Sequence, residues 1–469
     1  MPIKIALPKG RLLSDTAELL DKAGWGLNGY TQSARLYRLK SHKNPRLLGK
    51  IFHERDIPIQ VAVGNYDLGI CGSDWLEELL VRYPSSPLIK VKNLRYRAGA
   101  LYLAGTYPGT LEDFQQQREL IRIASEYPNL AESYAASLRL RRFSVFPLWG
   151  AAEAYPPENA EVALLSGTVN APNFGNDLRM MGKVIEYSAY LIANKNSWET
   201  KNMGAELASL KDSILDEENN FAGGTTKLAT KPAEMSPLVE VTKDTVRLAL
   251  PDGHQQKHTL KLLNEAGIKL DAYPSVNGNC RPIINREGFT VKVIRPQDMP
   301  LQVANGNFDM AITGQDWVSD HLYQFPTSPV AELLALGLGK VRLVAVVSND
   351  LAADDVAVLQ QFCAGRGKAL RVASEYVNIA DKYARDNHLG LYRVIPTWGA
   401  TEAFLPEDAD LLIENTETGQ TITRHNLKII DTLFQSEACL IGNKDEISNK
   451  LKKERIISFV DTLRNAVGG

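Results

Sequence analysis

The sequence predicts an α/β fold that occurs twice within one chain of 469 residues. Several segments of the first half return in the second, and each half alternates strand-like with helix-like runs. The returning segments are SEYPN (125–129) as SEYVN (374–378), WGAAEA (149–154) as WGATEA (398–403), and YDLGICGSDW (66–75) as FDMAITGQDW (308–317). Their offsets are 249, 249 and 242 residues. Solenoid repeats have periods of roughly 20–50 residues, so these offsets indicate a duplicated domain.

Each half contains short β-branched apolar runs, predicted as strands, between longer amphipathic runs, predicted as helices. In the first half the predicted strands are 4–7, 68–71 and 121–125, and the predicted helices are 12–23, 57–63 and 130–140. In the second half the strands are 246–250, 310–313 and 370–374, and the helices are 259–266, 300–304 and 379–387. Strands that alternate with helices predict α/β layers with parallel sheets.

The two copies are predicted to be separate units, a first copy at 1–215 and a second copy at 245–469. Residues 216–244 between them are polar and contain glycine and proline. Such a composition buries little apolar surface, which predicts a flexible linker. Charged helical tails at 197–215 and 445–466 end the copies, and each tail is predicted to pack on its own copy.

Composition excludes several classes of function. The chain has 53 basic and 55 acidic residues, so no global field favours nucleic acid or anionic lipid. Its four cysteines form no CxxC pair, which argues against a zinc site and a disulfide framework. The first residues show no signal-peptide pattern, and no apolar run approaches the roughly 20 residues of a membrane span. A cytoplasmic location is the expectation.

The segment 411–422 predicts a phosphate-binding loop. An apolar strand leads into acids, hydroxyls and one glycine ahead of a helix, whose N-terminus offers unpaired backbone N–H groups. Gly419 permits close approach of the backbone to a ligand, and carboxylates beside a phosphate suit ribose hydroxyls. The predicted phosphoribosyl site consists of Glu414, Asn415, Thr416, Glu417, Thr418, Gly419, Gln420 and Thr421. An ordinary turn with threonine caps is the alternative.

The corresponding loop of the first copy, 164–173, lacks these features. Leu165, Thr168 and Asn170 stand in place of Glu414, Glu417 and Gly419. Pro172, opposite Thr421, has no N–H to donate. The first copy is therefore predicted to have lost phosphate binding.

The N-terminal strands show the opposite difference between the copies. Lys9 and Arg11 follow the first strand of the first copy, where open α/β sheets usually have a cleft. The second copy has Asp252 and His254 at these places. Because a pyrophosphate favours cations, Lys9 and Arg11 are candidate catalytic residues, with a solvated surface turn as the alternative.

Further arginines are candidate anion ligands. Arg281 and Arg295 of the second copy are predicted to lie near the 414–421 loop, and Arg35, Arg55 and Arg286 have similar settings. His254 and His258 have the spacing of zinc ligands, but no glutamate base lies between them. No metal site is predicted from these residues.

Together these motifs resemble the catalytic chain of the ATP phosphoribosyltransferase family, which acts first in histidine biosynthesis. The matching segments are ALPKGRL (6–12), DLGICGSD (67–74) with its copy at 309–316, RIASEYPN (122–129) with its copy, LGLGKVRLV (336–344), and 414–426. They cover nearly all of both halves in the family's order. The resemblance implies, for each copy, a two-lobed catalytic unit like that of periplasmic binding proteins, with the active cleft between the lobes.

The resemblance also implies lobe boundaries and ligands. In the first copy lobe I would comprise about 1–95 and 183–215 and lobe II about 96–182; in the second, about 245–340 with 432–469, and about 341–431. It implies transfer of phosphoribosyl from 5-phosphoribosyl-1-pyrophosphate to N1 of ATP, with Mg²⁺. The residues it assigns to ATP are Gly314, Asp316, Glu375 and Tyr376.

The chain departs from the family by having two units, and each half lacks one set of site residues. It resembles the family's short form, which pairs with a histidyl-tRNA-synthetase-like regulatory subunit.

The leading hypothesis is an active enzyme folded as an internal pseudo-dimer, which is able to form homo-oligomers. Lys9 and Arg11 would then either complete the second copy's site or form a regulatory site in the first. The alternative is a non-catalytic tandem protein that senses nucleotide or histidine and regulates another enzyme.

Overall fold

The structure is a computed structural model that describes residues 2–31, 37–107, 120–170, 172–175, 178–204, 206–210, 242–274, 280–447 and 450–468. Arg35 and all but the last three residues of the predicted linker 216–244 lie outside these ranges. In the described part of the chain, no helix is long and apolar enough to cross a membrane.

The first lobe of the first copy is built on one mixed sheet. Its elements are β1 (Ile3–Pro8), α1 (Leu13–Lys22), β2 (Arg38–Lys40), β3 (Leu47–Phe52), α2 (Asp56–Ala62), β4 (Leu68–Gly72), α3 (Ser73–Arg82) and β5 (Leu88–Asn93). The chain returns to this lobe as β11 (Ala189–Asn194) and α5 (Lys195–Thr200). The strand order is β2-β3-β1-β4-β11-β5, with β1 parallel to β3 and β4 and with β11 antiparallel to both of its neighbours.

The second lobe of the first copy is formed by the segment of the chain between β5 and β11. It contains β6 (Gly99–Gly105), β7 (Ile121–Ser125), α4 (Pro128–Ser137), β8 (Phe143–Pro147), β9 (Val162–Gly167) and β10 (Arg179–Tyr187). The strand order is β10-β6-β9-β7-β8. Because β10 continues to Tyr187, this lobe extends past the predicted boundary near 182.

The second copy repeats both sheets. Its first lobe has β12 (Val246–Pro251), α6 (Gln255–Glu265), β13 (Leu270–Asp271), β14 (Ile283–Ile284), β15 (Phe289–Ile294), α7 (Met299–Ala304), β16 (Met310–Gly314), α8 (Gln315–Gln324) and β17 (Val330–Ala335). Its second lobe has β18 (Val341–Ser348), α9 (Val356–Arg366), β19 (Leu370–Ser374), α10 (Val377–Asp386), β20 (Tyr392–Pro396), β21 (Leu411–Thr416), α11 (Gln420–Arg424) and β22 (Leu427–Ser436). The chain returns as β23 (Ala438–Asn443), α12 (Lys444–Ile447) and α13 (Lys453–Val467).

The strand order β20-β19-β21-β18-β22 matches that of the first copy, and β15-β12-β16-β23-β17 matches it except that no strand of the described residues corresponds to β2; β13 and β14 form a separate two-stranded sheet. The predicted α/β class is confirmed, and the chain folds as two tandem copies of a two-lobed unit. The C-terminal tail, predicted as helical at 445–466, forms α12 and α13. As predicted, α13 packs on its own copy, through Ile456, Phe459 and Leu463 in the core of the first lobe.

Each lobe packs against the opposite lobe of the other copy. One core joins the second lobe of the first copy, including Tyr155, to the first lobe of the second, including Met299. A matching core joins the first lobe of the first copy, including Phe52, to the second lobe of the second, including Phe404. Such reciprocal contacts are those of a two-fold dimer. The two copies are therefore a pseudo-dimer with shared apolar cores.

Candidate active site

The candidate site is a cleft in the second copy, at the carboxyl ends of the parallel strands β19 and β21. Three glutamates face one another there. Glu375 directly follows β19, Glu414 lies in β21, and Glu402 lies in the 3-10 turn Thr401–Phe404. In open α/β folds ligands bind outside the carboxyl ends of the strands. The fold therefore places these acids where a ligand would bind.

The carboxyl groups of all three glutamates have raised pKa values. Burial, followed by the charge of Glu402, raises the pKa of Glu375 to about 7. Burial, followed by the charges of Glu402 and Glu375, raises the pKa of Glu414 well above its usual value. Burial also raises the pKa of Glu402. Neighbouring carboxyl groups of this kind either bind a proton or are stabilised by hydroxyl donors or cations beside them, so the cluster is suited to a hydroxylated or cation-bearing ligand.

The loop that follows Glu414 is open to solvent. Glu417, Thr418, Gln420 and Thr421 are exposed, whereas Ile422 is buried and anchors the loop in the core. Gly419 has a φ of 75°, a conformation that favours glycine. Its N–H donates to Thr416 Oγ1 at 2.9 Å, and the hydroxyl of Thr418 lies 3.4 Å from the amide nitrogen of Gln420. Exposed hydroxyls thus lie at this turn beside the acids, whereas Gly419, whose amide bonds Thr416, is itself buried.

The residues assigned to ATP by resemblance form one network across the lobes. The Tyr376 hydroxyl donates to Asp316 Oδ2 at 2.6 Å, and Asn415 Nδ2 donates to the Tyr376 hydroxyl at 2.7 Å. Trp317 stacks on Tyr376 with ring centroids 4.2 Å apart. A side chain at Gly314 would collide with the Asp316 carboxylate, which explains the glycine. The structure thus brings Asp316, Tyr376 and Asn415 together, and Glu375 precedes Tyr376.

Lys9 of the first copy faces this site of the second copy. Its ammonium lies 3.3 Å from the hydroxyl of Tyr37, and the Tyr37 ring stacks on His425 of the second copy at 4.8 Å. Burial raises the pKa of Glu402, and the charge of Lys9 opposes this rise. Lys9 itself is exposed. It is therefore a cation of one copy at the edge of the acidic cluster of the other.

Arg11 stays within the first copy. Its guanidinium bonds Glu54 Oε2 at 2.9 Å and Asp74 Oδ2 at 2.6 Å. It also lies 5.1 Å from the centre of the Tyr187 ring. The two cations of this sequence motif are therefore divided between the clefts. Lys9 faces the second copy, and Arg11 lines the cleft of the first.

The structure does not place Arg281 and Arg295 beside the 414–421 loop, so that expectation is wrong. Arg281 bonds both oxygens of Glu158, at 2.6 and 2.8 Å, in the second lobe of the first copy. Arg295 bonds Asp252 at 2.8 Å and packs against Gly150 of the first copy. Each lobe packs against the opposite lobe of the other copy. The cations on the first lobe of the second copy consequently face the first copy.

The corresponding turn of the first copy is bonded to Tyr102, although Thr168 and Asn170 are exposed. The Tyr102 hydroxyl donates to the carbonyl oxygens of Thr168 and Val169, at 2.9 and 2.6 Å. Leu165, in place of Glu414, is buried, and Pro172 packs against the backbone at Gly167. The turn of the first copy therefore lacks the acid of Glu414, and two of its carbonyl oxygens are bonded to Tyr102.

Sequence reasoning missed Glu402, Tyr37 and His425. Glu402 was available in the repeated segment WGATEA, which had been used only as evidence of duplication. Tyr37 and His425 carry no local signal, because their pairing depends on how the two copies pack. Among the described residues, no group of three or more His, Cys, Asp or Glu side chains forms a metal cage.

The fold and the site define a two-lobed α/β protein with three half-buried acids beside a hydroxyl-rich turn. A family model described as "HisG: ATP phosphoribosyltransferase" matches residues 53–215 and 295–465, one stretch in each copy. The chain belongs to the ATP phosphoribosyltransferase family, and the resemblance seen in its motifs is confirmed.

Two similar sequences agree with this assignment. ATP phosphoribosyltransferase of Chlorobaculum parvum is 31% identical over 226 residues, covering 48% of this chain and 73% of the relative. The protein of the same name from Prosthecochloris aestuarii is 31% identical over 234 residues, 49% of this chain and 74% of the relative. Among solved structures, the Thermotoga maritima ATP phosphoribosyl transferase (HisG:HisZ) complex gives a TM-score of 0.38 at 20% identity, covering 48% of this chain and 99% of that chain.

Proposed function

We propose that this chain is an active ATP phosphoribosyltransferase that transfers the phosphoribosyl group of 5-phosphoribosyl-1-pyrophosphate to N1 of ATP and releases pyrophosphate. This reaction is the first step of histidine biosynthesis. The observation that carries the proposal is the accessible 414–421 loop beside Glu414, Glu402 and Glu375. A cytoplasmic location and pairing with a histidyl-tRNA-synthetase-like regulatory subunit belong to the same proposal.

The loop has the donors that a 5-phosphate needs. The amides of Gly419 and Gln420 now bond to threonine hydroxyls of the same turn, so a phosphate would exchange these weak contacts for charge-assisted ones. Glu414 and Glu417 would accept hydrogen bonds from the ribose hydroxyls. Because adenine N1 attacks the ribosyl carbon directly, no side chain acts as a nucleophile, and alignment of the two substrates supplies much of the rate.

The site is composite. Lys9 of the first copy lies where it offsets the charge of Glu402 in the second, and the second copy has Asp252 in place of a cation at its own strand end. A developing pyrophosphate is stabilised by cations that are fixed in place before the reaction. The first copy would therefore supply a cation, while the second supplies the loop and the acids.

Mg²⁺ fits the chemistry of this site. The carboxylates of Glu375, Glu402 and Glu414 are oxygen donors of the kind Mg²⁺ prefers. No group of three His, Cys, Asp or Glu side chains in the described residues could hold a metal ion by itself. An ion would therefore take other ligands from the substrate's pyrophosphate and from water. When bound, the ion would neutralise charge on the leaving group.

The deciding experiment is a pyrophosphate-release assay with ATP and 5-phosphoribosyl-1-pyrophosphate, alongside calorimetry with each substrate alone. We expect binding and turnover, with one active site per chain. A non-catalytic sensor would bind ligand and release no pyrophosphate. Binding without release by the intact chain, with any required regulatory subunit present, would refute catalysis.

We expect Lys9→Ala to lower kcat/KM about 10- to 100-fold, because a cation near the leaving group is lost. Lys9 is exposed, so folding should be unaffected. The matched control is Asp252→Ala at the equivalent position of the second copy, which should retain activity. Equal effects of the two substitutions in steady-state kinetics would contradict the composite site.

A further inference from the structure

A cavity of about 270 Å³ lies at the contact between the second lobe of the first copy and the first lobe of the second. Glu158 and Asn159 line it from the first copy, and Arg247, Arg281, Arg286 and Lys292 line it from the second. None of its lining residues belongs to the 414–421 loop or the glutamate cluster. The cavity is therefore separate from the candidate active site.

Two cations share one carboxylate at this cavity. Lys292 Nζ donates to Glu158 Oε2 at 2.8 Å and to Asn159 Oδ1 at 2.6 Å, and Arg281 bonds the same Glu158. Burial, followed by repulsion from Arg281, lowers the pKa of Lys292 to about 8. Burial alone would raise the pKa of Glu158, but the two cations together lower it to about 2. The cluster of Glu158, Asn159, Arg281 and Lys292 carries one positive charge in excess.

The other half of the interface contains the equivalent cluster, in which the numbers of positive and negative charges are equal. Lys50 of the first copy bonds Glu407 Oε2 and Asp408 Oδ2 of the second copy, both at 2.8 Å. Arg38 bonds the same Glu407, and Tyr66 donates to Asp408 at 3.0 Å. Two cations therefore meet two carboxylates.

Two substitutions between the copies account for the difference. Asn159 occupies the position of Asp408, at the common offset of 249 residues. Phe308 occupies the position of Tyr66, at the offset of 242 residues. The negative charge that is absent at Asn159 is therefore absent from the same interface that contains the cavity. Phe308 is also among the residues that line the cavity.

Two further arginines and one glutamate line the cavity. Arg247 lines it while bonded to Asp309 at 2.8 Å, and Arg286 lines it with a hydrogen bond to Thr462 at 2.9 Å. Glu287 also lines the cavity but is exposed to solvent. A buried excess of positive charge is stabilised by an anion that hydrogen-bonds to it.

We propose that this cavity binds a small oxyanion, a phosphate or carboxylate group, that supplies the negative charge absent at Asn159. The anion would bridge residues of both copies, and its binding would stabilise their pairing. The cavity is slightly smaller than the roughly 300–1,000 Å³ of typical drug-sized ligand pockets, which suits a small ion.

The test uses the full chain carrying Thr418→Ala and Gly419→Val, so that phosphate binding at the active-site loop does not interfere. Inorganic phosphate is titrated at constant ionic strength against chloride, by calorimetry and by the shift in thermal unfolding temperature. We expect saturable binding that Asn159→Asp weakens at least about tenfold, because a carboxylate then occupies the place of the anion's charge. Asp408→Asn in the equivalent cluster should leave this affinity unchanged.

Asn159 Nδ2 also donates to the Asn307 carbonyl at 2.9 Å, so Asn159→Asp alters one further hydrogen bond. Arg286→Gln is the second variant, because Arg286 is partly exposed and lies outside the buried cluster. It should weaken phosphate binding to a similar extent. Saturable binding of phosphate or, in a parallel titration, of succinate supports the proposal and identifies the preferred group. Absence of both, or unchanged affinity in both variants, overturns it.

Discussion

The double substitution Thr418→Ala, Gly419→Val is expected to lower kcat/KM for 5-phosphoribosyl-1-pyrophosphate about 10³-fold. Gly419 has a φ of 75°, where valine is strained, so the loop backbone must move. Its amides then no longer converge on a phosphate, and the Thr418 hydroxyl is also lost. Binding energy from a remote phosphate holds the reacting carbon in place, so turnover should fall together with affinity. Steady-state kinetics in both substrates measures the effect.

The control is the same change at the equivalent positions of the first copy, Val169→Ala with Asn170→Val. This turn lacks the acids and the glycine of the second-copy loop, so activity should remain within about twofold of the wild type. Full activity of the second-copy variant would refute the assignment of the loop. Equal loss in both variants would mean that both copies catalyse.

The second large effect on activity is expected for Glu375→Gln. The control is Glu126→Gln, at the equivalent position of the first copy. The pKa of Glu375 is raised to about 7 by burial and then by Glu402, and that of Glu126 to about 7 by burial and then by Glu153. Only Glu375 lies beside an intact loop. We expect its substitution to lower kcat about 10²-fold, because a carboxylate that orients substrate or metal is lost. Glu126→Gln should leave kcat nearly unchanged.

Both substitutions should stabilise the protein at high pH. A carboxyl group whose folded pKa exceeds its unfolded value binds more protons in the folded state, so stability falls as pH rises from about 4.5 to about 7. Glutamine removes this loss, which should raise the free energy of unfolding by about 1–3 kcal/mol near pH 8 and by little near pH 5. Urea unfolding at the two pH values measures the difference. Destabilisation of both variants near pH 8 would contradict the raised pKa values.

Local patterns were sufficient to predict much of the fold. The repeated segments lie in the equivalent elements of the two copies, and the predicted strands 121–125 and 370–374 coincide with β7 and β19. The 414–421 loop was recognisable because one short segment contains its acids, hydroxyls and glycine. Asp316 and Tyr376 were named from the family motif, and their hydrogen bond follows from the lobe arrangement.

Contacts between the copies were not predictable in the same way. Arg281 is 123 residues from Glu158, and Lys50 is 358 residues from Asp408. Such pairs depend on which lobes pack together, and this is decided by the apolar faces that form the shared cores. For the same reason, the sequence motif suggested that Lys9 and Arg11 act together, whereas packing divides them between the two clefts.

The shared apolar cores have a consequence for inheritance. In an ordinary homodimer every mutation appears in both subunits, so a harmful change at one active site harms the other as well. Here each half always meets the same, non-identical neighbour, because one gene encodes both. Under the proposed function, Leu165 in place of Glu414 would disable one cleft and spare the other, which would leave the first copy free to specialise as a scaffold and cation donor.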